Sequence, residues 1–534
     1  MSPVVSPADP GFVRNLSDLG GRSFDCVVVG GGIHGASLLF ELSRRGYRSL
    51  LVERRDFGRG ASARSLRILH GGLRYLQSFD LSRFGESVEA RRWFLRSFPE
   101  FTSPRSFLLP LDGKGVRHPI PFSVAFAIDA WLSRGRNDGV LPAHRLPRGR
   151  VVLANALEDV PRSVGSERAF AFWSDGWIAD PQRLLIEYLR WSVSLGATIV
   201  NHADATPIVR DGAVVGLGLS RATNSDSTRL GESSGRVEVE TPLVVLSAGA
   251  WTETTLDRWG WPLANSIPTA KVFNLVLEGS TDFGRVGSDG VSGMGVRARD
   301  GRNAFLWSDG RFTHVGTVHR IEGSGPEDVR VTTEEAEALI RSVDEHVPSL
   351  ELSGRRVVSA QVGRLPSRSV DDPEMPHRDH VLSPAAFGGP EGLFVTMGLK
   401  YTTAPVVASR VVSLLPPSLL QPSPHPLGAN QVDEPDALPP RPPCRGTIRI
   451  HDLLRSWESD EESILRLLRT LREEEAAGTL ADLVLGRMDG SEDPEAAREL
   501  ASRLTSTFCA DEKAGAAQLE ELERALEAQA LRVS

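Results

Sequence analysis

The chain has 534 residues, room for roughly three to four domains of ordinary size. Its 40% hydrophobic and 24% charged content is that of a globular protein, which excludes fibrous and wholly disordered classes. Acids exceed bases by 69 to 61, leaving no overall basic surface for nucleic acid. Three cysteines, at 26, 444 and 509, are too few and scattered for a disulfide framework or a zinc ligand set.

Residues 1–23, rich in Pro, Ser and Gly, read as a flexible leader without the basic start and apolar core of a secretion signal. Phe24 to Val29 is a β-branched run expected as a buried strand. It leads into Gly30-Gly31-Gly32-Ile33-His34-Gly35 and a stretch with helical apolar spacing. Gly30 suits the tight turn, Gly32 lets a pyrophosphate approach the backbone, and Gly35 lets helix and strand pack closely. A second strand, Arg48 to Val52, ends in Glu53, placed to accept hydrogen bonds from a ribose. Together these predict an adenine-dinucleotide site.

Pro119 to Leu132 is apolar except for Ser123 and Asp129, with arginines at 117, 134 and 136. It is too short to span a bilayer. A buried helix and a helix lying in a membrane interface are both open readings. The Ser/Gly-rich stretch 221–236 reads as a surface hairpin or loop. From 24 to 415 short β-rich runs alternate with helical stretches, as in an α/β fold. Ten of the 28 residues from Pro416 to Pro443 are proline, so 416–446 is expected to be a linker. Residues 447–534 then show helical spacing and predict an all-α C-terminal domain. No run is long and apolar enough to cross a membrane, so a cytoplasmic setting is expected, with a peripheral seat on the membrane's cytoplasmic face as the alternative.

The segment from Ala61 to Leu76 contains His70-Gly71-Gly72-Leu73-Arg74-Tyr75-Leu76. It resembles the signature of flavin-dependent glycerol-3-phosphate dehydrogenases, within the D-amino-acid-oxidase-like superfamily. Ser174-Asp175-Gly176-Trp177, Gly363-Arg364-Leu365-Pro366, His377-Arg378-Asp379-His380 and Gly398-Leu399-Lys400-Tyr401-Thr402-Thr403 are similar to further family segments. The resemblance implies a Rossmann-like FAD-binding domain interleaved with an antiparallel-sheet substrate domain. It also implies oxidation of sn-glycerol 3-phosphate to dihydroxyacetone phosphate by hydride transfer to flavin N5, with a quinone as acceptor. Ser62, Ser65, Gly71, Gly249, Gly398 and Thr402 would join Gly30, Gly32, Gly35 and Glu53 around FAD.

On the substrate side the resemblance places Arg74, Arg364, Arg378 and Lys400 as a cationic clamp, since guanidinium forks suit phosphate oxygens. Tyr75 would add a phenolic donor, and His319 stands where the family has an acid. His70 matches the histidine beside the flavin and suits a general base or a ring holder. Lys271 is the alternative base. Three departures fall near the pocket: Val272-Phe273-Asn274 in place of G-S-H, His319, and Leu399 in place of a glycine. They leave open an oxidase or dehydrogenase of another polar alcohol or amine, with O2 as a possible acceptor, and a flavoprotein without turnover. No metal is expected, and a homodimer is an open alternative.

Overall fold

The computed structural model describes residues 11–77, 79–161, 168–222, 235–297, 303–420, 438–490, 493–509 and 511–531. The chain divides into two compact units that exchange the backbone repeatedly. The first comprises Met1–Ala63, Pro181–Thr269 and Leu365–Leu526, and the second Arg64–Asp180, Ala270–Arg364 and Glu527–Ser534. Interleaving was expected, and the fold is the mixed α/β one.

The first unit is built on a seven-stranded sheet in the order Gly11–Val13, Thr198–Val200, Ser49–Val52, Cys26–Val29, Val244–Leu246, Leu393–Met397, His380–Leu382. Every pairing is parallel except the last. Strands buried on both faces read as continuous apolar runs, as Cys26–Val29 and Ser49–Val52 do. The helix Ile33–Arg44 follows the glycine turn and packs on helices Pro181–Ser194 and Ala404–Leu414. Pro405 falls in the first turn of the latter helix, where its missing N–H costs nothing.

One expectation needs correction here, and two others gain detail. Residues 11–23 are not a loose leader: Gly11–Val13 pairs with Thr198–Val200, and Leu16 and Leu19 are buried in the core under the sheet. The linker is pinned at its far end, where Trp191 Nε1 donates to the Pro440 carbonyl at 3.2 Å and Arg445 binds Glu475 at 2.6 Å; residues 421–437 lie outside the described ones. The helical C-terminal region has its own core around Leu468, Leu471, Val484 and Leu500 but belongs to the first unit. Buried ion pairs make that join. Arg487 forks onto both Asp56 oxygens at 2.8 and 2.9 Å, and Arg183 forks onto Glu475 at 2.6 and 2.8 Å. The insert is flanked by paired strands Ala213–Arg221 and Val237–Glu240, with 223–234 outside the described residues.

The second unit is a nine-stranded, mostly antiparallel sheet among the described residues. One face carries a core of Phe273, Leu275, Leu277, Leu306, Ala360 and Val362 against the helix Thr333–Asp344. The other face is crossed by the segment 64–70. Arg64 bonds to the carbonyl of Val362 and accepts from Asn274 Nδ2, Trp307 Nε1 donates to the Leu66 carbonyl, and the His70 ring lies 5.5 Å from that of Phe305. Ala360 N–H donates to the Gln529 carbonyl at 2.7 Å, so the distal tail is tied to this sheet.

Pro119–Leu132 is a helix of this unit. Phe122 and Phe126 are buried with Leu109, Leu111, Ala169 and Ala171. On the opposite side Ile120, Val124, Ile128 and Trp131 are 68, 53, 41 and 65% exposed. The helix therefore buries one apolar row and exposes another. Among the described residues no helix is long and apolar enough to cross a membrane.

Candidate functional site

In the first unit the turn after Cys26–Val29 forms a cradle. Gly30 has φ +116°, and a Cβ there would lie 2.3 Å from the Ser247 carbonyl oxygen. A Cβ on Gly35 would lie 1.9 Å from the Gly30 carbonyl oxygen, so only glycine permits this approach of helix to strand. Gly32 caps the helix without a side chain; a Cβ there would meet only Ser62 Oγ, at 3.1 Å. Ser62 Oγ accepts from the Ile33 amide at 3.0 Å. Glu53 accepts from the Gly31 and Arg55 amides at 2.6 and 2.7 Å. Burial pushes its carboxyl up, against those two bonds and the nearby Arg55 charge.

Other expected contacts cluster at this end of the sheet. Gly249 follows the strand Val244–Leu246 and has φ +54°. Gly398 follows Leu393–Met397 and leaves room for the His34 ring, which a Cβ would meet at 2.0 Å. His34 Nε2 donates to the Lys400 carbonyl at 3.0 Å, while burial lowers the pKa of the ring. Thr402 and Leu399 are buried, and the Leu399 amide donates to Asp379 at 2.9 Å. Arg378 is exposed and Lys400 half-buried.

In the second unit His70 follows the short strand Ile68–Leu69, which pairs with Ala169–Ile178. Its side chain is 46% exposed, and its Nδ1 lies 3.4 Å from Asp175 Oδ2. Gly71 donates its amide to the same carboxylate at 2.9 Å. Ser65 accepts from the Arg67 amide at 3.4 Å. Arg74 and Tyr75 stand on the helix Leu73–Gln77; the Arg74 side chain lies outside the described residues, and Tyr75 OH accepts from Arg83 at 3.1 Å. His319 pairs across the sheet with Val272 and is half-buried.

Lys271 and Arg364 are placed otherwise than expected. Side chains alternate along a strand, and Lys271 shares its side with Phe273, Leu275 and Leu277, in the helix-covered core. Asn274, on the other side, is the one that reaches the segment 64–70. Lys271 Nζ is bonded to Glu322 at 2.5 Å, Glu335 at 2.8 Å and the Arg330 carbonyl at 3.1 Å. An ammonium has three donors and all are taken, so Lys271 is no candidate base. Arg364 donates to the carbonyls of Ser324 and Glu322 at 2.6 and 3.0 Å, with the Glu322 carboxylate 3.7 Å away. Phe273, expected near the pocket, is core.

The FAD dependent oxidoreductase family, DAO, matches residues 25–414. The chain belongs to the FAD-dependent oxidoreductases. Among curated relatives, the aerobic glycerol-3-phosphate dehydrogenase of Bacillus subtilis (strain 168) is 24% identical over 406 residues, 75% of this chain and 68% of that one. The glycerol-3-phosphate dehydrogenase of Synechocystis is 26% identical over 421 residues, 75% and 71% of the two chains. Of solved structures, the glycerol-3-phosphate dehydrogenase from Bacillus halodurans complexed with FAD has a TM-score of 0.66 at 17% identity, covering 97% of this chain and 98% of that one.

The cradle of this oxidoreductase fits FAD. First-turn amides of a helix lack intrahelical partners and carry its positive end, so the Gly32–His34 backbone suits a pyrophosphate. Glu53 retains lone pairs for ribose hydroxyls. Sequence reasoning missed Asp175 as a functional group, Arg91 behind it, and the Glu322–Glu335 pair on Lys271. Only Glu335 left a local signal, since Thr332-Thr333-Glu334-Glu335 is the pattern of the capping box observed there. The other partners meet across 84 and 51 residues of sequence, where no local pattern could pair them.

Proposed function

We propose that this oxidoreductase converts sn-glycerol 3-phosphate to dihydroxyacetone phosphate and passes the electrons to a quinone. The observation that carries the reading is the His70–Asp175 pair: an exposed imidazole, on the segment that resembles the family signature, with one ring nitrogen turned toward a buried carboxylate. The names of the curated relatives support the substrate. FAD, held by Gly30, Gly32, Gly35, Glu53 and Ser62, supplies the hydride acceptor when bound. His70 takes the hydroxyl proton at Nε2, as general-base chemistry near neutral pH requires. Arg74, Arg378 and Lys400 are the proposed phosphate cations and Tyr75 a phenolic donor, with His319 beside the substrate. Arg364 drops out of the clamp because it is bonded to the Ser324 and Glu322 carbonyls, and Lys271 drops out as the alternative base because it is spent on Glu322 and Glu335.

A quinone acceptor lives in a bilayer, and the exposed stripe of Ile120, Val124, Ile128 and Trp131 supports a peripheral seat there. The same neutralisation of Lys271 and Arg364 favours a second reading, a less anionic polar alcohol or an amine. Anaerobic mixing of the flavoprotein with glycerol 3-phosphate separates the two. Bleaching of the oxidised flavin supports the first reading; bleaching only with an unphosphorylated alcohol or amine supports the second.

A further inference from the structure

His70 is open to solvent on one side, yet the other edge of its ring meets a built anchor. Asp175 is buried in the strand Ala169–Ile178 and receives several donors besides His70. The Gly71 amide and the Arg91 guanidinium bond to Oδ1, and Trp173 Nε1 donates to Oδ2 at 3.2 Å. Burial alone would raise this carboxyl. The bond from His70 and the charge of Arg91 outweigh it and hold Asp175 well below the usual carboxylate range. The arrangement leaves no slack: a Cβ on Gly71 would lie 2.0 Å from the Arg91 guanidinium.

We propose that Asp175 is the positioning residue of the reaction: it keeps the proton of His70 on Nδ1, so that Nε2 presents its lone pair to the substrate hydroxyl, and it stabilises the imidazolium that results. Arg91 fixes the carboxylate and offsets part of its charge. The inference rests on His70 being the base, as proposed above. Among the described residues no partner of Nε2 is recorded, which leaves that atom for substrate. The charged groups behind the ring are Asp175 and Arg91, and beyond them Asp129 and Arg136, which border the same small cavity; Phe305 flanks the ring.

The test uses the FAD-loaded enzyme, rapid mixing with glycerol 3-phosphate, and the pH dependence of flavin reduction. Asp175→Asn is expected to slow reduction about 10²-fold with little change in KM. Removing the anion also moves the kinetic pKa of the base down. Arg91→Gln is expected to move it the other way, because it removes a competing cation, and Asp175→Glu to recover part of the rate. An unshifted profile in both Asp175→Asn and Arg91→Gln, or a loss confined to KM, overturns the proposal. If Asp175→Asn does not hold FAD, the upward shift in Arg91→Gln decides. A His70→Ala enzyme that reduces at the wild-type rate sinks the base itself. A slow His70→Ala beside a normal Asp175→Asn sinks the positioning role alone.

Discussion

At Gly35 one methyl group would sit 1.9 Å from a backbone oxygen, whereas at Gly32 it would meet only a serine hydroxyl. The two glycines should therefore fail differently. Gly35→Ala is expected to destabilise the fold, because backbone cannot yield as a side-chain tip can. Gly32→Val should leave folded but colourless protein, seen as loss of flavin absorbance at unchanged circular dichroism. In the second unit His314 provides a pH handle. Its ring stacks on Trp307 at 3.9 Å, and burial, reinforced by Arg67 and opposed by Asp309, lowers its pKa to about 4. A histidine whose folded value is depressed costs nothing above its unfolded pKa of about 6.5 and destabilises progressively as pH falls toward 4. The loss is on the order of 3 kcal/mol, and urea titrations at pH 7 and pH 4.5 should show it diminished in His314→Phe. At this scale the sequence was legible where chemistry is local. The glycine turn and Glu53 needed only neighbours in one strand–turn–helix unit, whereas Lys271 could not reveal two carboxylates that approach it from a distant loop and helix.

Elements were legible where their apolar residues show one period. Cys26–Val29 and Ile33–Arg44 formed close to where their patterns placed them. Pro119–Leu132 was not resolved in this way, because it is apolar on both faces and periodicity cannot say which faces inward. The packing decides it, and substitutions should follow. Phe122→Ser, in the buried row, is expected to destabilise by about 3 kcal/mol, as large-to-small changes in a core do. Ile120→Ser with Trp131→Ser, in the exposed row, should leave stability within about 0.5 kcal/mol. The exposed pair should also lower co-sedimentation with anionic vesicles while sparing activity with a soluble dye acceptor. Equal sedimentation of mutant and wild type would remove the membrane role. The sheet of the second unit was the least legible element, because its ladders join residues as distant as Ile68 and Trp177.

In the whole molecule, the join between the helical C-terminal region and the parallel sheet depends on buried charge. Glu475 is held below the carboxylate range because bonds and charges from Arg183, Arg487 and Arg445 overcome the effect of burial. Breaking such a network from one side leaves an uncompensated ion, so Arg487→Met is expected to cost about 3 to 5 kcal/mol in chemical denaturation. Asp56→Leu added to Arg487→Met should restore part of that loss, since removing both partners abolishes the stranded charge. Composition suggests a separate region after the proline-rich stretch, but charge pairing ties it to the first unit.

The bond between Ala360 and Gln529 also has a consequence in time. At about 5 to 20 residues per second, residue 529 emerges roughly ten to thirty seconds after the strand it joins. Until then the outer edge of Val357–Pro366 lacks this bond, and an unpaired edge invites foreign strands. A chain truncated after residue 520 should therefore be more readily cleaved by protease within 357–366 than the full chain, and it should recruit holding chaperones for longer. The tail thus acts as a clasp that closes the sheet only when synthesis has passed it.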